Sequence, residues 1–147
     1  MSDDKIIEIN EYISLGPSPR NKKWVSEHLD KFDAIICAAE NRAVYKLPDE
    51  GKMSFHIPII HRVDPLTKGR MLIAGRTLLT LMESKKKTYI HCWAGQTRCS
   101  TIVAIAFSIQ TGKSVKECLD ELEKISPQIH GSGGWFRFAR SFGIIER

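Results

Sequence analysis

Residues 91–101 read HCWAGQTRCST, and this stretch decides how the rest of the chain is read. Upstream, Thr88–His91 is a short β-branched and aromatic run that reads as a strand. Downstream, residues 98–110 place Ile102, Ile105, Ala106 and Ile109 on one helical face. The eleven residues therefore form a turn from a strand into a helix N-terminus. Such a turn points successive backbone N–H groups inward and makes a cradle for an anion. Gly95 supplies the close backbone approach that a tight cradle needs. Arg98, six residues after Cys92, is spaced to fold back over the mouth, and its planar fork can hold two oxyanion oxygens at once. Cys92 lies at the base, where amide dipoles and a guanidinium stabilise a thiolate and lower its pKa below the free value of about 8.5. Trp93, Ala94, Gly95, Gln96, Thr97 and Arg98 are the expected substrate-binding residues, with Cys92 and Arg98 catalytic. His91 reads as a buried orienting residue whose ring hydrogen-bonds to backbone near the loop.

Working outward, strands and helices alternate. Lys5–Ile9 and Tyr12–Gly16 read as strands, the second ended by the turn signal Gly-Pro-Ser-Pro at 16–19. Residues 21–32 place Trp24, Val25, Leu29 and Phe32 at helical spacing. Asp33–Ala38 is short enough for a buried strand, and Met53–Ile60 is another strand candidate with Pro58 near its end. Residues 66–84 suggest a helix. Ser114 and Glu117 form a capping box ahead of Val115, Cys118, Leu119, Leu122 and Ile125. A last helix is expected over Trp135–Ile144, after HGSGG at 130–134. The pattern predicts an α/β domain spanning 1–147, with a central mostly parallel sheet flanked by helices and a helical C-terminal third. In such sheets the site lies at the carboxyl ends of the strands.

Composition narrows the function classes. The chain has 147 residues, enough for one domain with a sizeable core. Charged residues are 27% and hydrophobic ones 42%, which argues against disorder. No apolar run approaches the roughly 20 residues of a membrane helix. The net charge of +5 suits an anionic partner, but the only basic run, Lys85–Lys87, has no interleaved aromatics and reads as a solvated turn, so no nucleic-acid partner is expected. The N-terminus MSDDKIIEIN lacks the pattern of a secretory signal. The four cysteines (Cys37, Cys92, Cys99, Cys118) form no C-x-x-C pair and no zinc spacing, and read as free thiols. An intracellular, cytoplasmic protein without metal or cofactor is the expectation.

The loop resembles the H-C-x5-R signature of protein tyrosine phosphatases. It is closest to the dual-specificity branch, H-C-x-A-G-x-S-R-S-x-T: His91, Cys92, Ala94, Gly95, Arg98 and Thr101 match, while Thr97 and Cys99 replace two serines. ISLG at 13–16, ICAAE at 36–40 and FHIPII at 55–60 are similar to that branch's strand segments, and Ser126–Phe142 to its closing helix. The resemblance implies a dual-specificity phosphatase-like fold and hydrolysis of phosphotyrosine, with phosphoserine and phosphothreonine as further candidates. Cys92 would attack phosphorus to give a cysteinyl-phosphate, and a carboxylic acid would protonate the leaving oxygen. Ungapped alignment puts His61 where the branch carries that acid, and the nearest carboxylate is Asp64, in HRVDPL. Asp64 is the preferred candidate and His61 the alternative. The implied partner is a phosphorylated protein, with phosphate or another oxyanion in the loop. The uncharged loop interior disfavours highly anionic inositol lipids, and Ala94 and Thr97 do not match capping-type RNA triphosphatases.

Cys99 stands where the branch has a serine that assists hydrolysis of the intermediate. A thiol is a weaker donor. It reads either as a small helix residue or as a resolving thiol for oxidised Cys92. Cys37 and Cys118 read as core. Two other functions stay open: a pseudophosphatase, meaning a phosphate-binding module lacking an efficient acid, and a rhodanese-like sulfurtransferase, against which the Arg spacing speaks.

Overall fold

The computed structural model describes residues 6–19, 21–40, 52–60, 62–92, 97–126, 129 and 133–147. Among these residues five strands form one sheet: β1 (Ile7–Glu8), β2 (Ile13–Gly16), β3 (Ala34–Cys37), β4 (Met53–His56) and β5 (Thr88–His91). Their spatial order is β1-β2-β5-β3-β4. β2, β5, β3 and β4 run parallel, and β1 adds antiparallel at the edge. Among the described residues five helices accompany them: α1 (Lys22–His28), α2 (Pro65–Glu83), α3 (Thr97–Thr111), α4 (Val115–Ile125) and α5 (Gly133–Arg140). Every predicted element is present, but the last helix, expected to reach Ile144, ends at Arg140, ahead of Gly143 at a φ of 68°. The strand expected over Met53–Ile60 stops at His56, before Pro58, which has no N–H for a ladder.

Strand alternation sorts the core. Ile35 and Tyr89 face a small cluster with Val25, Leu29 and Phe32, which seats α1. Ile13, Leu15, Ala34, Ile36 and Ile90 belong to the larger cluster, built with α2, α3, α4 and α5. β2, β3 and β5 are buried along their whole length, as expected of parallel strands covered on both faces. α2 and α3 approach closely because Gly75 has no side chain: a Cβ there would lie 2.4 Å from Ile105 Cγ2. The capping box of α4 is present, with Ser114 Oγ accepting from the Glu117 N–H and the Glu117 carboxylate accepting from the Ser114 N–H. Among the described residues no helix is long and apolar enough to cross a membrane.

The register aligns the strand ends. Gly16, His91, Cys37 and His56 lie side by side across β2, β5, β3 and β4. β5 thus delivers Cys92 to the carboxyl edge of a parallel sheet, flanked by the ends of β2 and β3. The Ala38 N–H donates to the His91 carbonyl at 2.8 Å, which extends the β3–β5 pairing to the last residue before the thiol.

Candidate active site

His91 ends β5 with no exposed surface. Its Nδ1 lies 3.3 Å from Ser18 Oγ, and that hydroxyl donates to the Cys92 carbonyl at 2.8 Å. A hydroxyl has one proton. Ser18 gives it to Cys92 and therefore accepts from His91, which fixes the proton on Nδ1. Burial, followed by the nearby His56 ring, lowers the His91 pKa to about 4, so the ring is neutral. Among the described residues its buried Nε2 meets no hydrogen-bond partner. Tyr89 stacks on the ring with centroids 5.9 Å apart, and its hydroxyl donates to the Pro17 carbonyl. A Cβ at Gly16 would sit 2.7 Å from that hydroxyl, so glycine lets β2 pass the tyrosine. These contacts lock the backbone leading into Cys92.

Cys92 is 3% exposed. Its pKa is lowered to about 7, first by a hydrogen bond from the Cys99 thiol. Burial opposes this, while the Arg98 guanidinium and the N–H groups of Cys99 and Arg98 reinforce it. The amides are the first turn of α3, so the helix terminus faces the sulfur. A large fraction of Cys92 is therefore thiolate at neutral pH. Cys99, in the same turn, has no exposed surface. Burial pushes its pKa well above the ordinary thiol range, and its hydrogen bond to Cys92 and the charges of Cys92 and Cys37 push the same way.

Arg98 is the third member. Its Nη1 donates to the Ile59 carbonyl at 2.9 Å, and its Nη2 lies 3.7 Å from Glu40 Oε1. The side chain is 15% exposed. The segments that follow β3 and β4 thus hold the guanidinium.

Asp64 has a different environment. It is the N-cap of α2, and its Oδ1 accepts from the Thr67 N–H at 2.8 Å. Its backbone is extended, with Pro65 in the first turn, where the missing N–H costs nothing. The Thr67 amide is the main reason its pKa is lowered, with Thr67's hydroxyl, Arg62 and the Leu66 amide adding to it against some desolvation. In this arrangement the carboxyl is ionised at neutral pH and committed to the cap.

No family model matches the chain, and no curated protein matches it. Solved structures do match. The active form of Tk-PTP is similar at 23% identity over 92% of this chain and 94% of that one, with a TM-score of 0.76. A human tyrosine phosphatase-like serine/threonine/tyrosine-interacting protein is similar at 16% identity over 95% of both chains, with a TM-score of 0.72. A leucine-rich repeat and phosphatase domain containing protein from Entamoeba histolytica is similar at 14% identity over 95% of this chain and 91% of that one, with a TM-score of 0.72. The chain has the fold of the cysteine-dependent tyrosine and dual-specificity phosphatases.

Within this phosphatase fold the structure brings together Cys92, Cys99, Arg98 and His91, and it places Asp64 at a helix cap. Trp93, Ala94, Gly95 and Gln96, the Thr97 side chain and His61 lie outside the described residues. The sequence reading missed two contributors, Glu40 and Ser18, and one role, the helix cap that Asp64 makes. Asp64-Pro65 ahead of an apolar helix is a start signal, and it was legible. Glu40 and Ser18 reach the site through strand pairing alone, with no local signal. His91 is the buried orienting residue expected, but its ring meets the Ser18 hydroxyl as well as the Cys92 backbone.

Proposed function

We propose that the chain hydrolyses phosphomonoesters of protein side chains through a cysteinyl-phosphate on Cys92. The observation that carries this reading is a buried thiol set between a helix N-terminus and a guanidinium. Both features favour an anionic sulfur, and both suit a phosphoryl group bound in line with it. In the first step Cys92 forms an S–P bond as the ester oxygen leaves. Asp64, released from its cap and protonated, supplies the proton. In the second step water attacks phosphorus, Asp64 takes a proton from that water, and the thiolate departs. Arg98 and the loop amides hold the equatorial oxygens as charge moves onto them. His91 stays neutral and holds the base of the loop. The whole of 1–147 acts as one catalytic domain on phosphotyrosine, with phosphoserine and phosphothreonine as further candidates, and works in the cytoplasm.

The lowered pKa of Asp64 favours a second reading. An acid must hold its proton at the working pH, and a cap carboxylate does not. If Asp64 keeps its cap, the cradle binds a phosphorylated segment and turns it over poorly. A protein of this fold is described as a phosphatase-like interacting protein. Hydrolysis of a small aryl phosphate under reducing conditions decides between the two. Turnover that disappears in Cys92→Ser supports the enzyme. An inert parent that still binds vanadate supports the module.

A further inference from the structure

β4 is the outermost strand of the sheet, and its far side carries no partner strand among the described residues. Its pairing with β3 uses alternate residues: the Met53 N–H donates to the Asp33 carbonyl and the Ile57 N–H to the Cys37 carbonyl, each at 3.0 Å. Ser54 and His56 fall out of step with these bonds, so their N–H and C=O groups turn to the open edge. Both residues are exposed. Proteins commonly blunt such an edge with a lysine or a proline. Here Lys52 is drawn away, its Nζ donating to the Phe32 and Asp30 carbonyls at 2.6 and 3.0 Å, and Pro58 lies beyond the strand. Beside the edge, between β4 and α2, runs a groove of about 600 Å³. Met53, Phe55, Ile73 and Leu81 give it apolar walls, Arg76 and Lys86 give it positive charge, and no carboxylate among the described residues lines it. We propose that this edge and groove bind an extended acidic and apolar segment of a partner protein, which adds to β4 as a further strand.

The dimensions suit a strand. From Ile73 to Ser84 the groove follows α2 for about 16 Å, at 1.5 Å per residue. An extended segment covers that length with about five residues. Met53 and Phe55 point to the α2 side, so every second residue of an added strand points the same way, over the groove. Arg76 stands toward one end of the span and Lys86 beyond the other. The residues facing the groove are therefore apolar in the middle and acidic at the ends. Main-chain bonds to Ser54 and His56 supply affinity, and the groove selects the side chains. Met53 and Ile73 are 38% and 58% exposed, so covering them removes apolar surface from water. Charge decides the occupant. Arg76 donates to the Glu146 carbonyl at 3.3 Å, a neutral group, while Glu83, the carboxylate of α2, is held by Arg147. A second copy of this chain would bring the same cations to the same edge, on a chain of net charge +5. An acidic segment meets no such repulsion. The proposal does not rest on the proposed hydrolysis.

The probe is a fluorescein-labelled heptapeptide, Asp-Thr-Val-Thr-Val-Thr-Glu, whose alternate residues run acidic, apolar, apolar, acidic. Anisotropy titration with the full chain is expected to saturate with a Kd below about 300 μM. Ile73→Asp and Arg76→Glu, both surface changes, are expected to weaken binding at least about tenfold. Ser54→Pro tests the strand itself. The Ser54 N–H takes no part in the β3 pairing, so proline leaves the sheet intact while removing a donor from the edge. The same loss is expected, at the melting temperature of the parent. The charge-reversed peptide Lys-Thr-Val-Thr-Val-Thr-Lys is expected to bind at least about tenfold more weakly than the acidic one. No saturation with the parent, or equal binding of the two peptides, would overturn the proposal. So would displacement by vanadate, which would put the acidic peptide in the loop of Cys92. A parent dimer in sedimentation velocity that becomes monomeric in Ser54→Pro would give the edge to a second copy, and would overturn it too. If Ser54→Pro does not fold, hydrogen exchange of the parent decides: the peptide is expected to slow the Ser54 and His56 amides, and unslowed amides would sink strand addition. A chain inert toward aryl phosphate that still binds the peptide in this way would remove the proposed hydrolysis and leave this inference standing.

Discussion

Glu40 holds Arg98 from the solvent side: its carboxylate lies 3.7 Å from the guanidinium, while the Ile59 carbonyl holds the other nitrogen at 2.9 Å. The two contacts are not equal. Glu40 is 44% exposed and its pair is long, which limits its worth to under about 1 kcal/mol. The Ile59 bond is shorter and charge-assisted. Glu40→Gln is therefore expected to change the dissociation constant of vanadate by less than about fivefold. Arg98→Lys removes the planar fork and is expected to weaken it by about 100-fold or more. Equilibrium titration with vanadate checks both. An equal loss in the two variants would mean that Glu40, not the backbone carbonyl, positions the arginine.

The Cys92 thiolate is expected to titrate near pH 7, read from the pH dependence of its alkylation by iodoacetamide. The hydrogen bond from Cys99 is the largest cause of that low value. Cys99→Ala removes it, and the midpoint is expected to move toward the ordinary thiol range. Cys99→Ser restores a donor, and the midpoint is expected to return to about 7 or lower. An unmoved midpoint in the alanine variant would leave Arg98 and the amides as the sufficient cause.

The same shift links folding to pH. Cys92 titrates lower in the folded chain than in the unfolded one, where a thiol sits near 8.5. The folded state thus sheds its proton first. The resulting stabilisation is full above pH 8.5 and is lost as pH falls through about 7. It amounts to about 2 kcal/mol at most. Cys99 and Cys118 are raised instead, so their stabilisation is present below the ordinary thiol pKa and fades only at higher pH. Urea unfolding at pH 6.5 and 8.5 is expected to show the parent gaining stability between them. Cys92→Ser is expected to lose that gain.

Much of this was legible in the sequence, for definable reasons. HCWAGQTRCST suggests the proposed chemistry because an anion cradle needs a small residue, a thiol and a guanidinium within a few positions. The ten elements follow from periodicity and from local signals such as the Ser114–Glu117 box. The strand order is not local. Nothing in ISLG says that Gly16 will lie beside His91, so the approach of Ser18 to the thiol backbone had no local trace. Glu40 illustrates the same limit, since it meets Arg98 only because β3 pairs with β5. Asp64 is different. The residues Asp-Pro-Leu-Thr carry a helix start plainly, and a reading in search of an acid passed over the cap.

That double identity of Asp64 can be separated by substitution. Asparagine caps a helix about as well as aspartate but cannot donate a carboxylic proton. Asp64→Asn is expected to melt with the parent and to lose about 100-fold in turnover of phenyl phosphate, whose leaving group needs protonation. On p-nitrophenyl phosphate, with its more acidic leaving group, the loss is expected to be much smaller. Asp64→Ala should show the same kinetic loss and also melt earlier. If Asp64→Asn turns over phenyl phosphate like the parent, the acid lies elsewhere and Asp64 is a cap alone.

Two glycines of α2 give opposite outcomes from one substitution. Glycine in a helix interior costs about 1 kcal/mol relative to alanine, so on propensity alone both replacements should stabilise. At Gly69 nothing among the described residues lies within 4 Å of the added methyl, and Gly69→Ala is expected to stabilise by about 0.5–1 kcal/mol. At Gly75 the methyl would meet Ile105 Cγ2 at 2.4 Å and Ile105 Cβ at 2.8 Å. Ile105 is fully buried in the larger core cluster, so it cannot swing into solvent, and the clash at Cβ cannot be relieved by rotation about χ1. α2 must then move off α3, the helix whose first turn carries Arg98 and Cys99. Gly75→Ala is expected to destabilise by about 1–3 kcal/mol despite its better propensity, and to weaken vanadate binding as the cradle shifts. Urea midpoints for the two variants, with the vanadate titration alongside, check both signs. A stabilised Gly75→Ala would show that the α2–α3 contact yields at little cost and that the helix carrying the proposed phosphate cradle is not pinned by this packing.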